Sequence, residues 1–133
     1  MNKIEHIGIA VKSIEDANRL FASLLGKSHY KTEEVASEHV KTSFFKVAES
    51  KIELLESTDE NSHIAKFIAK RGEGIHHIAF EVEDIHAEMK RLKAAGFKLT
   101  RDEPFRGADN KLVCFVHPKS INGVLVELCQ EIK

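Results

Sequence analysis

Apolar and polar positions alternate with period two over much of the chain, and three stretches with helical period interrupt the alternation. Residues 5–11, Glu-His-Ile-Gly-Ile-Ala-Val, put Ile7, Ile9 and Val11 on one side of an extended segment. His6, Gly8 and Ala10 fall on the other side. The rhythm then changes over residues 12–26, where Leu20, Phe21 and Leu24 follow Ala17 at helical spacing. Ser13 is suited to the N-cap, and Asp16 three residues on makes an acidic variant of the capping box. Gly26 stands where a helix end favours positive φ. Three strand-like runs follow, at roughly 28–36, 39–48 and 51–57. Residues 60–74 then predict a short amphipathic connecting helix with Ile64, Phe67 and Ile68 on one face.

The same order returns. His77-Ile78-Ala79-Phe80-Glu81-Val82 aligns with His6-Ile7-Gly8-Ile9-Ala10-Val11, 71 residues apart. Asp84 repeats the N-cap Ser13 at that offset, and Ile85, Met89 and Leu92 repeat the helical stripe. Gly96 marks the helix end, and strand-like runs follow at roughly 97–103, 111–117 and 123–130. Glu53-Leu54 and Glu127-Leu128 are central to the last run of each half, 74 residues apart, so loops in the second half absorb three extra residues. The fold expected is α+β, two tandem βαβββ modules. Residues 1–59 form module one, 60–73 the linker helix and 74–133 module two, together one domain. Each helix covers one sheet face, and the opposite faces are free to cup a cavity.

Composition narrows the functional classes. The 133 residues carry 20 Lys+Arg against 21 Asp+Glu, for a net charge of −1. With no basic block, no nucleic-acid partner is expected. Apolar runs are too short to span a bilayer, and Glu5 and His6 interrupt any signal-peptide core. Cys114 and Cys129, the only two cysteines, both sit in apolar runs, which predicts free thiols and a reduced, cytoplasmic setting.

Strand parity then sorts the histidines. His77 shares a face with Ala79, as His6 does with Gly8 and Ala10, and small neighbours leave room beside an imidazole. His76 falls on the bulky side and reads as structural. His29, His39, His63 and His86 read as solvated, His117 before Pro118 as turn-fixing, and Cys114 as core. Glu53 and Glu127 each interrupt an apolar strand, where a carboxylate is costly to bury without compensation. His6, Glu53, His77 and Glu127 at matched repeat positions point to a divalent metal. Mixed N/O donors suit Co²⁺, Mn²⁺, Ni²⁺ or Zn²⁺.

The stretches EHIGIAV (5–11), KIELLES (51–57), IAKFIAKRGEGIHHIAFEV (64–82), DEPFRGADNK (102–111) and HPKSINGVLVEL (117–128) carry a resemblance over nearly the whole chain. They resemble the vicinal oxygen chelate (glyoxalase-like) superfamily, and within it the methylmalonyl-CoA epimerase family. The resemblance implies paired modules with cupped mixed sheets enclosing a metal, with cobalt favoured. It also implies ligands at His6, Glu53, His77 and Glu127. The activity implied is interconversion of (2R)- and (2S)-methylmalonyl-CoA through an enolate, with Glu127 and Glu53 as acid/base groups. One departure stands out: Thr42 occupies a third-strand position where some members carry a glutamate proposed as a second base. The resemblance directs Lys119, Ser120 and Asn122 to the acyl-CoA substrate and Lys111 and Arg106 to its phosphates, and it implies a homodimer. The main alternative is a glyoxalase I-type lyase acting on a glutathione hemithioacetal, against which the HPKSINGVLVEL loop argues. An extradiol dioxygenase would want two histidines and one carboxylate, and a metal-free binding module would lack the ligands.

Overall fold

The structure, a computed structural model, describes residues 1–133. Eight strands and three helices follow one another along the chain. They are β1 (Lys3–Ala10), α1 (Ile14–Leu25), β2 (Lys31–Val35), β3 (Val40–Val47), β4 (Ser50–Ser57), α2 (His63–Arg71), β5 (Gly74–Glu81), α3 (Ile85–Ala94), β6 (Phe105–Arg106), β7 (Lys111–Val116) and β8 (Val126–Glu131). Short 3₁₀ turns lie at Ala36–Glu38 and Pro118–Ser120. The fold is mixed α+β with the two βαβββ runs expected from the repeat. Two compact units result, Ile7–His76 and Met1–His6 with His77–Lys133, so β1 starts in the second and ends in the first.

In the unit Ile7–His76, β2–β3–β4 form an antiparallel ladder, continued by the C-terminal part of β1. Ser13 caps α1 by accepting the Asp16 N–H at 3.2 Å, and Gly26, at φ 75°, ends it by donating to the Ala22 carbonyl. The capping box is not closed from its other side as expected. The Asp16 carboxylate pairs instead with Arg19, three residues along the helix. α1 lies on Ile9, Val11, Ile52, Leu54 and Phe45, the alternation face read from the sequence. On the opposite face, Ala10, Val40 and Leu55 pack with Ile64, Phe67 and Ile68 of α2, whose N-cap is Ser62. His29 departs from expectation. It is half-buried, its ring edge-on to Phe45 at 5.9 Å, because the chain leaving α1 runs back over that core.

In the other unit the order is β5–β8–β7–β6, parallel between β5 and β8 and antiparallel beyond. α3, capped by Asp84 accepting the Ala87 N–H at 3.1 Å, covers Val82, Cys114, Val116, Val126 and Leu128. The bulky parity and the core position of Cys114 therefore hold. The run expected at 97–103 does not form a strand. Leu99 makes an isolated bridge to Val116, and His117 N–H donates to the Lys98 carbonyl. Pro104, which has no N–H, then precedes a two-residue β6. β8 starts at Val126, not at Gly123, because Asn122 (φ 57°) and Gly123 (φ 81°) are spent on the preceding turn.

Two contacts test the repeat directly. The Ile14 N–H, opening α1, donates to Glu56 at 2.6 Å, and the Ile85 N–H, opening α3, donates to Gln130 at 2.7 Å. The donors are offset by 71 residues and the acceptors by 74, the two offsets read from the sequence. Glu53 likewise lies opposite Phe44, and Glu127 opposite Phe115.

Candidate metal centre and active site

Three of the four candidate ligands belong to one unit. His6 comes from the start of β1, His77 from β5 and Glu127 from β8, and each is almost wholly buried. The reasons are local. Small Ala79 beside His77 is fully buried, and Val126 and Leu128 flanking Glu127 turn to the α3 core, leaving Glu127 on the other face. The His6 and His77 Nε2 atoms are 3.0 Å apart. Glu127 Oε1 is 3.2 Å from His77 Nε2 and 3.7 Å from His6 Nε2. One ligand atom from each residue thus lies within 4.8 Å of the others. The His77 ring stands edge-on to Phe115 at 5.8 Å, and Phe115 stacks on Phe105, giving the cluster an aromatic flank.

The electrostatics favour a cation. Burial alone pushes the Glu127 pKa up, but the attraction of His6 and His77 outweighs it and holds the carboxyl well below the usual carboxylate range. Glu127 is therefore ionised at neutral pH. Cys129 shares the Glu127 face, packed with Ala79 and Val113, and burial followed by the Glu127 and Glu5 charges pushes its thiol up. The His6–His77–Glu127 group itself offers two imidazoles and a carboxylate. Such a set fits a borderline divalent ion.

Glu53 lies in the unit Ile7–His76, 6% exposed, on the β4 face shared with Leu55 and turned away from α1. Thr42 on β3 is also buried, and its hydroxyl donates to the Glu33 carbonyl at 3.1 Å. His76 packs its ring edge-on to Phe67 of α2 at 5.0 Å and takes no part in the cluster. His117 Nδ1 accepts the Lys119 N–H at 3.1 Å, the turn-fixing role expected. Of the residues assigned to substrate, Lys119 and Asn122 are exposed and Ser120 accepts the Lys98 N–H at 2.8 Å. Arg106 donates to Asn110 at 3.2 Å, and Lys111 is 8% exposed.

Sequence reading missed Glu5. Strict alternation would put it across the sheet from His6, yet both are buried in succession. Its Oε1 lies 2.8 Å from His6 Nδ1. An acidic residue next to a ligand-type histidine inside an apolar strand was the available signal.

Residues 5–115 match the family described as "Glyoxalase/Bleomycin resistance protein/Dioxygenase superfamily". The chain belongs to this superfamily. An ethylmalonyl-CoA/methylmalonyl-CoA epimerase of Cereibacter sphaeroides is 42% identical over 132 residues, 98% of each chain. A Streptomyces coelicolor methylmalonyl-CoA epimerase variant in complex with 2-nitronate-propionyl-CoA superposes with a TM-score of 0.95 at 33% identity. That alignment covers 100% of this chain and 99% of the other. A methylmalonyl-CoA epimerase in complex with methylmalonyl-CoA and ammonium gives a TM-score of 0.94 at 34% identity, over 98% and 95% of the two chains. The fold is thus the glyoxalase-type fold of these superfamily members.

Proposed function

We infer that the chain is a methylmalonyl-CoA epimerase, interconverting the (2R) and (2S) forms by removing and returning the proton at C2. The observation that carries the reading is the buried His6–His77–Glu127 cluster, in a chain so similar to named epimerases from end to end. The C2 hydrogen lies between a thioester and a carboxylate, and its removal places charge on the thioester oxygen. A divalent ion held by His6, His77 and Glu127, when bound, supplies the Lewis acidity that such charge needs, contributing several kcal/mol. Glu53 is the fourth ligand in this reading, supported by its burial and its repeat equivalence to Glu127.

The carboxylates also supply the proton chemistry. Glu127, ionised among the imidazoles, takes the proton on one face of C2. Glu53, from the other copy of the repeat, serves the opposite face. With the Thr42 hydroxyl committed to the Glu33 carbonyl, that position offers no second base. In the same reading Lys119 and Asn122 receive the acyl-CoA and Lys111 and Arg106 its phosphates, with Ser120 fixing the loop. Cobalt is the favoured ion. Two buried free thiols suit a reducing cytoplasm. β2, last in its strand order, leaves an edge on which a second copy can pair to make a homodimer.

The test is solvent exchange. Incubated with methylmalonyl-CoA in D₂O, the protein should place deuterium at C2 while the two epimers equilibrate. Absence of label, with turnover of the methylglyoxal–glutathione adduct instead, would transfer the protein to the glyoxalase I type.

A further inference from the structure

We propose that Glu5 is a positioning residue for His6. Its carboxylate keeps the imidazole proton on Nδ1 and so commits Nε2, with a lone pair, to the ligand position. The inference rests on His6 being a metal ligand, as proposed above.

Glu5 is 2% exposed, deeper than any of the three clustered residues. Its Oε1 faces His6 Nδ1 at 2.8 Å, a charge-assisted bond that compensates the buried carboxylate. Cys129 lies beside the pair, with its sulfur within 4.8 Å of the Glu5 and His6 ligand-type atoms. That sulfur offers its hydrogen to the Phe80 carbonyl, at 3.5 Å. The two nitrogens of a neutral imidazole are not equivalent, because only one carries the proton. A carboxylate accepts and does not donate, so Nδ1 is the protonated nitrogen in this pair. Nε2 is then the lone-pair nitrogen, and it is the atom 3.0 Å from His77 Nε2 and 3.7 Å from Glu127 Oε1. The same bond fixes the ring's rotation about its Cβ–Cγ axis.

The structural cost gives a second argument. A carboxylate is costly to bury unless it is paired, and an apolar residue at position 5 would carry no such cost. A carboxylate buried here therefore contributes something packing does not. Partners of this kind raise the basicity of the ligand histidine and set its tautomer, and losing one typically costs about 10–100-fold in metal affinity.

The experiment titrates Co²⁺ into the full-length metal-free protein, read by calorimetry and by the visible ligand-field band, with thermal unfolding of each metal-free variant alongside. Glu5→Leu should weaken Co²⁺ binding by about 10–100-fold and also lower the unfolding temperature, because the buried His6 Nδ1–H loses its acceptor. Glu5→Gln, whose amide oxygen still accepts from Nδ1, should lose less than Leu. Glu5→Asp, which keeps the charge but withdraws it by one methylene, should lose more than Gln. His6→Ala is the control and should lose more than all three. If the Glu5 variants bind Co²⁺ as wild type does while His6→Ala fails to, the positioning role is overturned and the ligand role stands. If His6→Ala also binds normally, both fall. Should Glu5→Leu not fold, the order of Gln and Asp decides, and wild-type affinity in both overturns the proposal.

Discussion

β4 and β8 are the same strand written twice, and they differ in what surrounds their glutamates. Each carries a Glu-Leu pair, with the leucine fully buried under its helix and the glutamate on the opposite face across from a phenylalanine. Each clamps the first N–H of that helix from three residues beyond the glutamate, through Glu56 or Gln130. Glu127, however, has two histidines of its own unit within 3.7 Å, whereas Glu53 shares its face with Leu55 and α2. The backbone devices of the two strands are alike, while the His6–His77–Glu127 group belongs to one unit. Residues that build the scaffold should therefore behave as pairs, and residues of the site should not.

The largest break in the pairing is expected at the glutamates. Glu127→Ala should lower epimerisation by at least about 10³-fold and weaken Co²⁺ binding, since in the reading proposed above it removes a ligand and a base together. Glu53→Ala should also lose activity but retain more of its Co²⁺ affinity, because His6, His77 and Glu127 remain together. Exchange assays and metal titrations of both variants check this, and equal metal loss would erase the distinction. Next come the leucines, where the halves should agree. Leu54→Ala and Leu128→Ala should each cost about 2–5 kcal/mol in urea unfolding, and similar values would confirm equivalent cores. The helix clamps should differ in a predictable direction. Glu56→Ala removes a charged acceptor and should cost about 1.5–3 kcal/mol, against about 0.5–1.5 kcal/mol for Gln130→Ala. The smallest effects belong to the caps, Ser13→Ala and Asp84→Ala, at about 1 kcal/mol each by the same measurement.

Much of this organisation could be read in advance because it rests on short-range patterns. Alternation gave Val11 and Leu54 to one helix and Val82 and Leu128 to the other, and Ser13, Asp84, Gly26 and Gly96 punctuated the helices as expected. Strand parity also separated His77 from His76, which meets Phe67 instead. The segment 97–103 was misread because alternation reports which residues suit a strand, not whether a partner ladder is available. There the available pairing stops at one bridge, Leu99 to Val116, and the rest of the β7 edge is taken by Phe105 and Arg106 of β6. Glu5 was illegible for a different reason. Alternation sorts side chains by face and not by burial, and β1 is buried on both faces at Glu5 and His6.

The spacing of the cluster along the chain also sets when it can form. His6 meets His77 across 71 residues, and Glu127 follows fifty residues later (127 − 77). No two of these side chains are sequence neighbours, so no metal-binding pair exists in a short stretch of nascent chain. A zinc finger, with closely spaced ligands, folds around its ion. Here more than half of the sequence must be synthesised before His6 can meet His77, and β8 must be in place before it meets Glu127. Contacts this distant form late in folding because their loop entropy must be met first. The ion proposed above would therefore be held by the assembled β1, β5 and β8 and by no short stretch of the chain.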